Sequence, residues 1–177
     1  MTAAASTTGV QYSLPLTAST RRLARRFRRI STLRLVRETS FAAPEGYPGD
    51  DVPIRSPRDV FERMEAYAER ETAEVFWILS LNAQHRLIGN APEAITRGIL
   101  NSSLVHPREV FVCAIVARAA AVVLCHNHPS GDPTPSQDDR AVTEQLVAAG
   151  RLLDIPVVDH VIVGHGRYKS FAEAGIL

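Results

Sequence analysis

Between residues 56 and 177 the apolar positions follow two periods, and the switches between them predict the elements. Val60, Met64 and Tyr67 recur at helical spacing within residues 57–69, behind Ser56 as N-cap and Pro57, whose missing N–H is no loss in a first turn. Residues 75–81 form a short apolar and aromatic run bounded by Asn82-Ala83. They predict a strand, with residues 86–89 as its hairpin partner and more strand near 93–100. Val110, Ala114 and Ala117 predict a helix over 107–118, opened by Pro107. The run 121–125 predicts a buried strand. Val142, Leu146 and Ala149 then predict a helix starting at Ser136 and stopping at Gly150, and residues 157–163 predict a last strand. The expected fold class is α/β, a mixed β-sheet flanked by helices.

Candidate chemistry is concentrated where the strand 121–125 runs out, in His126-Asn127-His128-Pro129-Ser130-Gly131-Asp132-Pro133-Thr134-Pro135-Ser136-Gln137-Asp138-Asp139. Two residues separated by one in a strand point the same way, so His126 and His128 can present imidazoles to one ion. Three prolines and Ser130-Gly131 then forbid regular structure, leaving a short stiff loop. Ser136 and Asp139 have the spacing of a capping box, which places Asp139 in a first helical turn. Two neutral imidazoles and a carboxylate suit a borderline-soft divalent cation with one position left for water, the pattern of catalytic zinc.

Rival metal chemistries lack their residues. Cys113 and Cys125 are too far apart for a C-x-x-C unit, no H-E-x-x-H helix occurs, and Pro129 after His128 removes the nucleobase-deaminase pattern. Each residue alone also has a plain structural reading: H-x-H as a turn with polar tips, Ser136 and Asp139 as a helix cap. Their conjunction points to a metal. Cys125 alternates with the histidines and is expected in the core, as is Cys113. Asp159-His160 has two readings, a pair that supports the metal ligands from behind and a hydrogen-bonded structural pair at a strand edge; the second is preferred. His85, His106 and His165 read as surface or capping residues.

The pattern H-x-H, seven residues, S-x-x-D resembles the JAMM motif of the MPN (also called JAB) metalloprotease family, and H-N-H-P-S-G-D-P-T-P-S resembles its bacterial RadC-like branch. Residues 101–110 and 155–163 resemble that branch too, so the resemblance covers about residues 56–177. It implies a single JAB/MPN domain of cytidine-deaminase-like fold. It also implies Zn2+ held by His126, His128 and Asp139, Ser136 hydrogen-bonding the developing oxyanion, and an upstream glutamate as general acid and base. Glu74 is the glutamate of choice, because residues 74–81 resemble the family's glutamate at the opening of its first long apolar strand. Glu71 lies before that strand, on what reads as a helix end. The implied enzyme is a zinc metalloprotease acting on a peptide or isopeptide bond of a peptide or protein substrate. Zinc lowers the pKa of its water from about 15.7 toward roughly 7, within reach of a carboxylate base.

Composition sets outer bounds. At 177 residues and 45% hydrophobic the chain can bury one core, and no apolar run reaches the roughly 18 residues that would span a bilayer. Two cysteines and no signal peptide fit a cytoplasmic location. The net charge of +1 hides an asymmetry: residues 1–37 hold eight arginines and no acid, against 12 basic and 19 acidic residues in the rest. Residues 1–55 are therefore expected to be a flexible basic arm and linker, and residues 56–177 the catalytic domain. Leu23, Phe27 and Ile30 recur at helical spacing among the arginines. Contact with nucleic acid through residues 21–37, an anionic membrane surface, or an organelle transit role are functional readings of the arm, beside that of a solvated tail or a helix docked on its own domain.

RadC proteins are expected to carry a helix-hairpin-helix region ahead of this domain, and residues 1–55 do not resemble one. The chain thus reads as a stand-alone catalytic module. The alternative is a non-catalytic accessory protein of DNA repair or recombination, with a structural metal and a nucleic-acid-binding arm.

Overall fold

A computed structural model describes residues 52–89, 91–98 and 105–177; the basic arm and nearly all of the linker lie outside them. Helix α1 (Pro57–Ala68) opens with a reciprocal cap: the Asp59 N–H donates to the Ser56 hydroxyl at 3.2 Å, and the Ser56 N–H donates to the Asp59 carboxylate at 2.9 Å. Strand β1 (Val75–Leu81), strand β2 (Glu93–Arg97), helix α2 (Pro107–Ala117), strand β3 (Ala121–Asn127), helix α3 (Gln137–Leu153), strand β4 (Val157–Val163) and strand β5 (Tyr168–Ser170) follow. The sheet runs β2-β1-β3-β4-β5, with β3 and β4 parallel and the other neighbours antiparallel.

Strands β1 and β3 are buried along their whole length because both faces of the sheet are covered. On one face Val75, Trp77, Leu79, Val123 and Cys125 pack with Val60, Phe61 and Met64 of α1. On the other, Phe76, Ile78, Val122 and Leu124 pack with Phe111 and Ala114 of α2 and Val142 and Leu146 of α3. This alternation fixes the site. His126 is in register with Phe76, on the α2/α3 side, so it points to the layer in which α3 begins.

Three expectations are revised. Residues 86–89 do return antiparallel to the end of β1, with the Asn82 N–H donating to Arg86 O at 2.9 Å and the Ile88 N–H to Ser80 O at 2.8 Å, but this pairing stops at the single Leu81–Leu87 bridge, and Glu93–Arg97 is the segment that pairs along β1. The Asn82 carboxamide draws in the N–H groups of Gln84 and Arg86, curling the chain into a turn. Helix α3 runs through Gly150 and stops at Asp154 in a left-handed conformation. A Cβ at Gly150 would sit 2.6 Å from the Ile155 carbonyl oxygen, so this glycine admits the returning chain instead of ending the helix. Strand β5 lies beyond the expected last strand. Among the described residues no helix is long and apolar enough to cross a membrane.

Candidate metal centre

Strand β3 delivers His126, and the His128 N–H still donates to Val163 O at 2.9 Å one residue past the strand's end. Pro129 then ends the pairing. The chain turns with the Gly131 N–H donating to His128 O at 2.9 Å, and Gly131 has φ +80°. A side chain there would meet the His165 ring at 2.6 Å, so glycine alone lets the loop lie against residues 164–165. Arg167 Nε donates to Gly131 O at 3.0 Å and clamps the turn from β5's side. The folded loop brings Asp132 O within 2.7 Å of His128 Nδ1.

Helix α3 starts with Ser136. The Asp139 N–H donates to the Ser136 hydroxyl at 3.1 Å, while the Ser136 N–H and hydroxyl donate to Asp139 Oδ2 at 2.7 and 2.6 Å. Asp139 thereby faces both histidines: Oδ1 is 3.2 Å from His126 Nε2, Oδ2 is 3.5 Å from His128 Nε2, and the two Nε2 atoms are 2.9 Å apart. One ligand atom from each residue lies within 4.8 Å of the others.

The donor set fits a metal. A carbonyl oxygen has no proton to give, so His128 Nδ1 carries the proton and, in the neutral ring, Nε2 is bare. His126 Nδ1 is engaged by His160 Nε2 at 2.8 Å, which turns its Nε2 to the same point. Acceptor atoms of three residues therefore converge where at most a shared proton could link them, and a divalent cation with N and O ligands satisfies all three.

Electrostatics agree with an anionic, cation-seeking centre. Burial opposes ionisation of Asp139, but the facing His126 and His128 imidazoles, whenever they carry a proton on Nε2, and the Ser136 hydroxyl outweigh it and hold the carboxyl far below the usual range; a cation supplies the same positive charge when both Nε2 atoms are bare. Burial pushes the His126 imidazole below its ordinary value against the pull of Asp139, so it stays neutral and able to coordinate. His128 is less deeply placed. Burial lowers its affinity for a proton, but Asp139 and the Asp132 carbonyl more than compensate, leaving it raised. Glu74 raises both imidazoles through its charge, which places its carboxylate within electrostatic reach of the centre.

How Glu74 reaches that position follows from Asn127. The backbone ladder between β1 and β3 begins at Phe76 and His126. Beyond it the buried Asn127 side chain takes over, accepting from the Val75 N–H at 2.8 Å and donating to Ala73 O at 3.1 Å. Glu74 is the residue between these two anchors. Glu71 is instead engaged by Arg97 of β2, whose second guanidinium nitrogen donates to it at 2.8 Å. A cleft of about 280 Å³ opens beside the site, with His128, Asn127, Glu69, Glu71, Thr72 and His165 in its wall.

The structure thus brings together His126, His128 and Asp139, with Ser136 on the carboxylate and Glu74 nearby. Ser136's proton is directed at Asp139, so serving a substrate oxygen requires the hydroxyl to turn. His160, expected to be part of a structural pair, lies against His126; its neighbour Asp159 does have the structural role, accepting from the His160 and Ala172 N–H groups and the Ser170 hydroxyl. A histidine inside the apolar run 157–163 was the available signal, since a polar side chain in a doubly covered strand needs a partner. Asn127 carried no comparable signal.

The model of the RadC-like JAB domain matches residues 54–176. The UPF0758 proteins of Symbiobacterium thermophilum and Moorella thermoacetica are each 49% identical to the chain, over 126 and 128 residues that make up 71% and 70% of it. That of Methanosarcina mazei is 44% identical over 124 residues, 70% of the chain. In each case the match covers 53% of the relative, so the chain spans about half the length of the curated relatives it matches.

Proposed function

Since the chain belongs to the family of RadC-like JAB domains, we propose that it is a zinc-dependent hydrolase of peptide or isopeptide bonds. The observation that carries this reading is the convergence of His126 Nε2, His128 Nε2 and the Asp139 carboxylate, beside a glutamate whose flanking backbone is held by Asn127. Zinc bound by these three residues would act as a Lewis acid, making water a nucleophile near neutral pH and polarising the scissile carbonyl. Glu74 takes the proton from the attacking water and returns it to the leaving amine. Ser136 turns its hydroxyl to the oxygen on which negative charge develops. His128 is the ligand that also lines the neighbouring cleft. No covalent intermediate with the chain is needed.

Quenched-fluorescence peptides and a lysine-linked isopeptide probe test the reading. Cleavage is expected from the zinc-loaded chain, lost with a chelator, restored by zinc, and absent in Glu74→Gln that still binds zinc. Equal cleavage by wild type and Glu74→Gln refutes the assignment of the base.

A second reading draws on the eight arginines of residues 1–37: the arm binds nucleic acid through phosphates. It predicts DNA affinity that falls steeply with salt and disappears when residues 1–37 are deleted, with Glu74→Gln silent.

A further inference from the structure

We infer that Thr143 and His160 are positioning residues that lock His126 into the ring form presenting a bare Nε2 to the metal. The inference rests on the reading of His126 as a ligand and follows from counting protons along a buried chain. Thr143 lies one helical turn after Asp139, with its Oγ1 2.5 Å from Asp139 O. A carbonyl oxygen only accepts, so the single hydroxyl proton of Thr143 is spent there. The same Oγ1 is 2.6 Å from His160 Nδ1. With its own proton committed, Thr143 can only accept, so His160 Nδ1 carries a hydrogen. Neutral His160 is then bare at Nε2, which lies 2.8 Å from His126 Nδ1. That contact needs one proton, and His126 must supply it. In a neutral His126 the remaining nitrogen, Nε2, has no hydrogen and faces Asp139.

Every atom in the chain is thereby assigned without choice. The order of protons is set at its far end by a backbone carbonyl of α3, and α3 also supplies the carboxylate ligand. One helix therefore holds Asp139 in place and orients His126 from behind. His128 receives the same orientation more directly, from Asp132 O. Outer partners of this kind fix the orientation and raise the basicity of a ligating imidazole. His160 and Thr143 are both buried, so water does not compete for these bonds. The His160 ring is also stacked on Phe171 at 4.7 Å and edge-on to Phe76 at 5.5 Å, which fixes its plane.

The direct test is the ring-nitrogen NMR spectrum of metal-free, ¹⁵N-histidine-labelled protein at mildly alkaline pH, where the imidazoles are neutral. A hydrogen on His126 Nδ1 with Nε2 bare is expected, and a hydrogen on Nε2, the form imidazole side chains favour in water, overturns the inference. This readout needs no zinc, so it decides the matter even if the hydrolase reading fails. Zinc affinity gives a second measure. His160→Phe keeps the ring stacking but lacks the acceptor, and should weaken zinc binding roughly 10- to 100-fold. His160→Gln restores an acceptor and should recover most of the loss, which a purely structural role would not do. If His160→Phe fails to fold, Thr143→Val replaces it, with a mixture of His126 ring forms and weaker zinc binding expected. Unchanged zinc affinity in whichever of the two folds overturns the inference.

Discussion

Two helices of this chain begin in the same way and do different things. Ser56 and Asp59 open α1, Ser136 and Asp139 open α3, and in both pairs serine and aspartate exchange the hydrogen bonds of a capping box. At α1 the aspartate accepts from the Ser56 N–H of its own cap and from the Arg55 N–H at 2.8 Å, and no imidazole faces it among its described hydrogen bonds. At α3 the aspartate is almost fully buried and two imidazoles from the neighbouring strand end close on its free edge. The local motif is therefore a structural device, and what crosses from the next strand turns it into a ligand. Serine and aspartate three apart say where a helix starts; the H-x-H segment says which start is a site.

The two caps should separate most at their carboxylates. Asp139→Asn should reduce zinc binding to background by calorimetric titration, whereas Asp59→Asn should leave affinity unchanged; equal losses in both would mean that the cap sustains the site only through folding. Next in size is the rate of hydrolysis. Glu74→Gln should lower turnover by at least about 10²- to 10⁴-fold, the range that general acid–base catalysis contributes, with zinc content intact.

Smaller effects fall on stability. Ser56→Ala should cost about 1 kcal/mol in chemical denaturation with zinc affinity unaltered. Ser136→Ala should cost a similar amount in the metal-free protein and also lower turnover. The smallest effect is in pH. Burial opposes ionisation of Asp59, but hydrogen bonds from Arg55 and Ser56 hold its pKa below the ordinary value. Its stabilisation is therefore complete above the unfolded pKa of about 3.9 and is lost as pH falls through the lower folded value. Asp59→Asn should flatten that acid limb, and an unchanged limb would assign it to other carboxylates.

What the sequence revealed follows physical range. Caps and strand alternation are local, so α1, β1, the start of α3 and the facing of His126 and His128 could be read from residue spacing. Pairing over distance could not: β2 is identified by its register with β1, and residues 86–89 offered an apolar pair closer in sequence. Helix α2 is apolar nearly all round, so periodicity marked its inner face only in part: Val110 and Ala114 are buried as their spacing predicts, Phe111 is buried beside them, and the equally apolar Val112, Ile115 and Val116 are exposed. Gly150 read as a stop because its reason lies in the contact with Ile155, outside its own helix. The metal triad was legible because all three residues fall within 14 positions and their chemistry is specific. Its supports act across elements: His160 was marked as a histidine within an apolar run, but its partner was not, and Thr143 and Asn127 became visible only in three dimensions.

The hydrolase reading stands or falls with whether His126, His128 and Asp139 share one metal ion. Anomalous diffraction at the zinc edge from zinc-soaked crystals tests it most directly. A single strong peak is expected about 2.0–2.2 Å from both Nε2 atoms and an Asp139 oxygen. A peak elsewhere, or imidazoles swung apart with no peak between them, would contradict it.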